Sequence, residues 1–171
     1  MSRQTKVIEW CKSKYDDDSK EWTEKARKWS EDKKFFFPSG TYKCNLFVYD
    51  ALVSNGVSVP TFIKKGEEWP PNTKDWYDEE VDGFSLVGKG KDGLNKSWPG
   101  DICVIYLKQL FVIPIEHHIG FIYGPQKTIS AAPNGIVIND WGWREYDYYY
   151  EQYVDHKNGV NKNVRIYRYH P

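Results

Sequence analysis

Thr41-Tyr42-Lys43-Cys44-Asn45-Leu46-Phe47-Val48-Tyr49-Asp50-Ala51-Leu52-Val53-Ser54-Asn55-Gly56 is the stretch on which the fold turns. Apolar side chains fill most positions from Leu46 to Val53, which predicts a helix buried on nearly all sides. Asn55-Gly56 offers the left-handed residues that stop a helix. Upstream, Phe35 to Gly40 contains Pro38 and Gly40 and reads as a loop. The helix therefore spans about 43–54, with Cys44 in its first turn. A helix start favours a thiolate, because unpaired backbone N–H groups and the helix dipole face the sulfur. Position alone assigns no chemistry, since a cysteine in an apolar helix is more often core.

Working outward, Val7, Trp10 and Cys11 fall at helical spacing and predict a first helix over 3–15. Asp16-Asp17-Asp18-Ser19 breaks it with N-cap chemistry. Trp22, Ala26 and Trp29 recur at i, i+4 and i+7, predicting a second helix over 19–34 with the tryptophans in the core. Residues 57–98 hold Pro60, Pro70, Pro71 and several glycines, and read as a long irregular segment suited to a lid or a cleft wall. From Trp98 the character changes. Pro99-Gly100-Asp101 is a turn, and strands are expected over 102–106, 111–115, 118–123 and 164–169. A hairpin of 127–132 and 135–140 turns around Pro133-Asn134-Gly135. Helices first and strands after give an α+β fold, with N-terminal helices packed on an antiparallel sheet. Without repeat or linker, residues 1–171 read as a single domain.

Lys plus Arg and Asp plus Glu both number 24, so the formal net charge is zero. A clustered basic excess is missing, which argues against nucleic acid as a partner. Nothing approaches the ~20 apolar residues of a membrane span, and the start, MSRQTKVIEWCKSK, has no secretory h-region. The three cysteines, Cys11, Cys44 and Cys103, fit no zinc spacing. A Cys11–Cys103 bridge is conceivable in an oxidising compartment, but two buried apolar thiols are the simpler expectation. Trp141 to Arg144 and Tyr146 to Tyr153 either line a groove or pack in the core, and the core is favoured.

A nucleophilic cysteine needs a base within hydrogen-bond reach, and the base needs an orienting partner. His118 opens a strand. Alternation puts His118, Gly120 and Ile122 on one face and His117 on the other, so the two histidines make a poor metal chelate. Gly120 removes a side chain beside His118 and lets another backbone or a substrate approach.

Lys43-Cys44-Asn45-Leu46-Phe47-Val48, then Trp98-Pro99-Gly100-Asp101-Ile102, then His118-Ile119-Gly120-Phe121-Ile122-Tyr123-Gly124 resemble the three blocks of the NlpC-type and CHAP-type cell-wall amidases. The resemblance covers about 40–145 and preserves the order Cys then His. It implies a papain-like fold, with the cysteine at a helix start packed on an antiparallel sheet that carries the histidine. Those families often have Asp-Cys-Ser at the nucleophile. The Lys43-Cys44-Asn45 form and the run Thr128-Ile129-Ser130-Ala131-Ala132 look more like the amidase effectors of bacterial type VI secretion and their domesticated eukaryotic relatives. Lys43 would either help hold a thiolate or be exposed.

The resemblance implies a cysteine hydrolase cutting an amide of the peptidoglycan stem or cross-link peptide, with Cys44 as nucleophile and His118 as base. It implies no metal or cofactor, delivery to the periplasm or cell wall, and an immunity protein as a partner. In NlpC-type enzymes a polar residue on the next strand orients the histidine. By offset Ser130 stands there. Asn139 and Asp140 on the following strand are the other candidates. A two-residue Asn134-Gly135 turn would put Asn139 on the face of Ser130, and a three-residue loop would put Asp140 there. Asp140 is slightly favoured, because a carboxylate also stabilises imidazolium. The oxyanion donors would be the Cys44 backbone N–H and one more group, for which Tyr42 is the candidate. Two other readings stay open: a papain-like module that binds cell wall or a partner protein without turnover, and a peptidase or deamidase acting on proteins.

Overall fold

Alternating apolar residues in the second half of the chain build a six-stranded antiparallel sheet, and the helices pack on it. The computed structural model describes residues 1–78, 81–106, 117–143, 145–147, 152–154 and 164–170. In chain order the sheet strands are β5 (Phe84–Lys89), β6 (Ile102–Tyr106), β7 (His117–Gly124), β8 (Lys127–Ala132), β9 (Gly135–Asn139) and β12 (Val164–Tyr169), while β10 (Glu145–Asp147) and β11 (Gln152–Val154) pair as a separate hairpin. Their spatial order is β5-β12-β6-β7-β8-β9. The C-terminal strand thus enters the sheet between β5 and β6, a long-range pairing that no local pattern announces. The strand expected over 111–115 lies outside the described residues.

One sheet face carries Ile102, Val104, Ile119, Phe121, Ile129 and Ala131. It packs on α2 (Cys44–Val53) and on Val7 and Cys11 of α1 (Arg3–Asp16). The other face carries Cys103, Ile105, Ile122, Val164 and Ile166 beneath Leu94 and Trp141. Helix α1 starts where Ser2 Oγ accepts the Thr5 N–H at 3.2 Å. Helix α2 matches the expected span closely and buries every residue from Leu46 to Leu52. Cys11, Cys44 and Cys103 are all free and buried, so the Cys11–Cys103 bridge does not form. No helix among the described residues is long and apolar enough to cross a membrane.

The helix expected over 19–34 is replaced by turns and a small hairpin, β1 (Lys28–Trp29) with β2 (Phe36–Phe37). Tertiary contacts override the helical spacing here. The Trp22 indole N–H donates to Asp50 Oδ2 at 2.9 Å, and the Glu31 N–H donates to Asp50 Oδ1 at 2.8 Å. Those two bonds wrap the segment around the buried Asp50 carboxyl. Trp29 ends up 50% exposed rather than in the core. Burial raises the Asp50 pKa to about 7 against these donors and Lys28.

The segment expected to be irregular, 57–98, also holds regular structure. It forms the hairpin β3 (Phe62–Lys64) and β4 (Glu67–Trp69), then α3 (Thr73–Tyr77), β5 and α4 (Gly90–Lys96). Each piece is too short to show periodicity. Asn72 and Asp75 nevertheless form a capping box, with Asp75 N–H on Asn72 Oδ1 at 3.0 Å and Asn72 N–H on Asp75 Oδ2 at 2.7 Å. Lys64 of β3 also pairs with Asp75, so α3 is tied to the hairpin before it.

Candidate functional site

Helix α2 begins without a side-chain cap, since Lys43 at the N-cap makes no capping hydrogen bond. Its first N–H groups are therefore left for whatever lies at the helix start. Cys44 lies there, 7% exposed and lining a cavity of about 370 Å³. Burial raises the Cys44 thiol pKa. Hydrogen-bond donors act the other way: the backbone N–H groups of Ile119, Asn45 and Cys44, and the Thr73 hydroxyl. The sulfur thus sits against the backbone of the residue that follows His118, at a point where α2 crosses the start of β7.

His118 lines the same cavity. Its Nε2 shares a hydrogen bond of 2.9 Å with Ser130 Oγ. Trp141 meets the ring edge to face, with centroids 4.8 Å apart and planes at 73°. Burial, together with the neighbouring His117, pushes the His118 pKa down to about 4. The imidazole is therefore neutral at neutral pH. Nδ1 has no hydrogen-bond partner among the described residues, and no hydrogen bond joins the ring to Cys44.

Register decides the third member. β8 and β9 pair through Ala132↔Gly135 and Ser130↔Val137, around a two-residue Pro133-Asn134 turn. That is neither of the loops expected, but its parity places Asn139 on the face of Ser130. Asp140 lies past the strand end, where its carbonyl accepts the Trp143 N–H at 2.8 Å. The carboxylate favoured from sequence is therefore not the group on the histidine; Ser130 is. Asn139 acts one step further out. Its Oδ1 accepts the Trp141 N–H at 3.3 Å and lies 3.4 Å from Thr128 Oγ1, and so seats Trp141 against His118.

Of the two roles expected of Gly120, making room for a neighbouring backbone is the one found. A Cβ there would lie 2.6 Å from Ile129 O and 2.6 Å from Ser130 Cβ. Its absence lets β8 close over β7 and brings Ser130 to His118. Gly120→Ala is expected to force the strands apart at a cost of about 1–3 kcal/mol, as overpacking does. The thermal midpoint should fall by roughly 2–12 °C, and a scanning calorimetry trace of the variant checks this.

Lys43 is neither exposed nor free to hold a thiolate. It is 2% exposed, and its Nζ donates to the carbonyls of Thr23 at 3.0 Å, Thr41 at 3.0 Å and Glu24 at 3.3 Å. Burial lowers its pKa, and the Glu24 carboxylate partly offsets this. Its work is to tie the 23–24 turn and the 41–43 loop to the start of α2. Tyr42 is 64% exposed and stands at the cavity rim with His117.

Asp101 of the Trp98-Pro99-Gly100-Asp101 block lies away from the cavity. It is buried and holds Arg168 of β12 through two bonds, Nε–Oδ1 at 2.8 Å and Nη2–Oδ2 at 2.6 Å. It also accepts the Trp98 N–H at 2.7 Å. That block joins strands rather than contributing chemistry. No local signal in the sequence marks Thr73 or Trp141 as a site residue. The Asn72/Asp75 capping signature could have located the helix that carries Thr73. Trp141, expected in the core, is both core and cavity wall. Arg144 and the side chains of 145–153 lie outside the described residues. Among the described residues no group of three or more His, Cys, Asp or Glu is placed to hold a metal ion. The chain matches no protein-family model, no curated protein and no solved structure.

Proposed function

We propose that this protein is a papain-like cysteine hydrolase of cell-wall peptide amides, with Cys44 as nucleophile, His118 as base and Ser130 as the orienter of His118. One observation carries the reading: residues from distant parts of the chain, Cys44 and His118, line one cavity, and His118 has Nε2 engaged by Ser130 and Nδ1 without a hydrogen-bond partner among the described residues. With the Nε2 proton donated to Ser130, the lone pair lies on Nδ1. Peptidoglycan as the substrate rests on the three-block resemblance to the NlpC-type and CHAP-type amidases. An immunity protein and delivery to the periplasm or cell wall rest on the resemblance to type VI effectors.

The step begins from a neutral pair, because burial disfavours both thiolate and imidazolium. His118 takes the thiol proton as sulfur bonds to the amide carbon. The oxyanion is held by the Cys44 N–H at the helix start, with Tyr42 at the rim as the candidate second donor. The C–N bond breaks as imidazolium returns the proton to the leaving amine. Water then attacks the thioester, giving the carboxylic acid and restoring the thiol.

Mass analysis of soluble fragments from purified peptidoglycan tests this reading. New amine and carboxyl ends at one stem or cross-link amide are expected. A digest without fragments, together with a Cys44 that a thiol-selective reagent does not label near neutral pH, would leave only a binding module. A protein substrate panel under the same conditions separates a protein peptidase or deamidase.

The pH profile follows from His118. The neutral imidazole is the active form, and its pKa is depressed to about 4. Activity should therefore persist well below pH 6.5 and be lost as pH falls through about 4. The acidic limb of kcat/KM measures this. A limb at 6–7 would mean that the ring is solvated in the working enzyme.

A further inference from the structure

We infer that Glu24 is the specificity residue of this cleft and binds a substrate ammonium group close to the amide that is cut. The inference rests on the amide-hydrolase reading above and adds the substrate's charge to it.

Glu24 lines the same cavity as Cys44 and His118. Its backbone is fastened on both sides: the N–H donates to Pro133 O at 2.9 Å, and the carbonyl accepts the Gly40 N–H at 2.8 Å and Lys43 Nζ at 3.3 Å. A loop residue held this way presents its side chain from a fixed point, which lowers the entropy cost of binding. The carboxylate has no hydrogen bond or ion pair among the described residues. Lys43 does not serve it, because all three ammonium protons of Lys43 go to backbone carbonyls. Among the described side chains that line the cavity, Glu24 and Lys43 are the carboxylate and the amine, and the histidine at the centre is neutral. The cleft therefore offers an incoming ligand one carboxylate with no hydrogen bond among the described residues, beside an ammonium whose protons are all spent on backbone carbonyls. An ammonium group is its complement, through a charge-assisted hydrogen bond. Stem peptides supply such a group in two places, at a free amino terminus or on the side chain of a diamino acid.

Three forms of one stem tetrapeptide separate these sources: both amines free, the terminal amine acetylated, and the side-chain amine acetylated. Turnover is followed with the wild-type protein and with Glu24→Gln. Binding is followed by calorimetry with Cys44→Ala and with the Cys44→Ala/Glu24→Gln double variant. Acetylation of one amine is expected to lower wild-type kcat/KM by roughly 10–100-fold, the range of a hydrogen bond to a charged group. Glu24→Gln should bring that ratio close to one. Cys44→Ala should show the same amine dependence in its Kd, and the double variant should lose it. Wild-type rates indifferent to both acetylations overturn the inference, and that comparison needs no variant. A preference that survives Glu24→Gln also overturns it. Amine-dependent binding to Cys44→Ala without any wild-type cleavage supports Glu24 and overturns the hydrolase reading instead. No binding and no cleavage of any form overturns both.

Discussion

Cys44→Ala is expected to lower amide hydrolysis by at least about three orders of magnitude while leaving the protein folded. The sulfur forms the covalent bond in the proposed step, so its loss removes the pathway rather than slowing it. Ala retains the helix start and most of the small volume that Cys44 occupies against β7. His118→Ala should cost about 10²–10⁴-fold, the usual contribution of a positioned general base. Ser130→Ala should be milder, about five- to tenfold, because it removes one neutral hydrogen bond of 2.9 Å worth roughly 1 kcal/mol. The Cys44→Ala/His118→Ala double variant should be no worse than Cys44→Ala, since the two act as a unit. Single-turnover rates on one stem peptide, with thermal melts of each variant, give the comparison. Rates within tenfold of wild type for Cys44→Ala would remove the thioester route.

Asp101→Ala should have the largest effect on stability, about 3–5 kcal/mol, because it breaks a buried ion pair from one side. Asp101 is fully buried and receives Arg168 through two bonds, the Trp98 N–H, and Gln4 Nε2 at 3.5 Å. Its removal strands the Arg168 guanidinium, which also stacks over the Trp98 ring at 4.3 Å. It also frees the turn that leads into β6. Because β12 sits between β5 and β6, loosening Arg168 loosens an interior strand. A midpoint lower by roughly 6–20 °C is expected in calorimetry. Arg168→Met should be equally harmful, leaving Asp101 as an uncompensated buried charge. Asp101→Leu with Arg168→Met should recover part of the loss, because the unpaired charge is then gone. A shift under 2 °C for Asp101→Ala would show that the pair is a surface ornament rather than a joint of the sheet.

Two kinds of information separate cleanly in this chain. Helix α2, with Cys44 in its first turn, was legible because its signals are local: a run of apolar residues, a Pro/Gly loop before it and Asn55-Gly56 after it. The strands through 102–106, 118–123 and 127–139 were legible for the same reason, as was the need for Gly120 to have no side chain. The helix expected over 19–34 failed because Asp50, in a different element, draws Trp22 and Glu31 into another path. The short elements of 57–98 failed because pieces of three to seven residues are too short to show a period.

By itself the sequence determined the helix that holds Cys44 and the strands that hold His118 and Ser130. Tertiary structure alone decided who meets whom. The two-residue turn at Pro133-Asn134 put Asn139 rather than Asp140 on the face of Ser130, a choice of one register step that composition does not encode. The buried ammonium of Lys43, spent on three carbonyls, and the insertion of β12 between β5 and β6 are likewise long-range results. Local pattern sets conformation through short-range sterics and hydrophobic period. Partners across the fold are set by which arrangement satisfies every buried polar group at once.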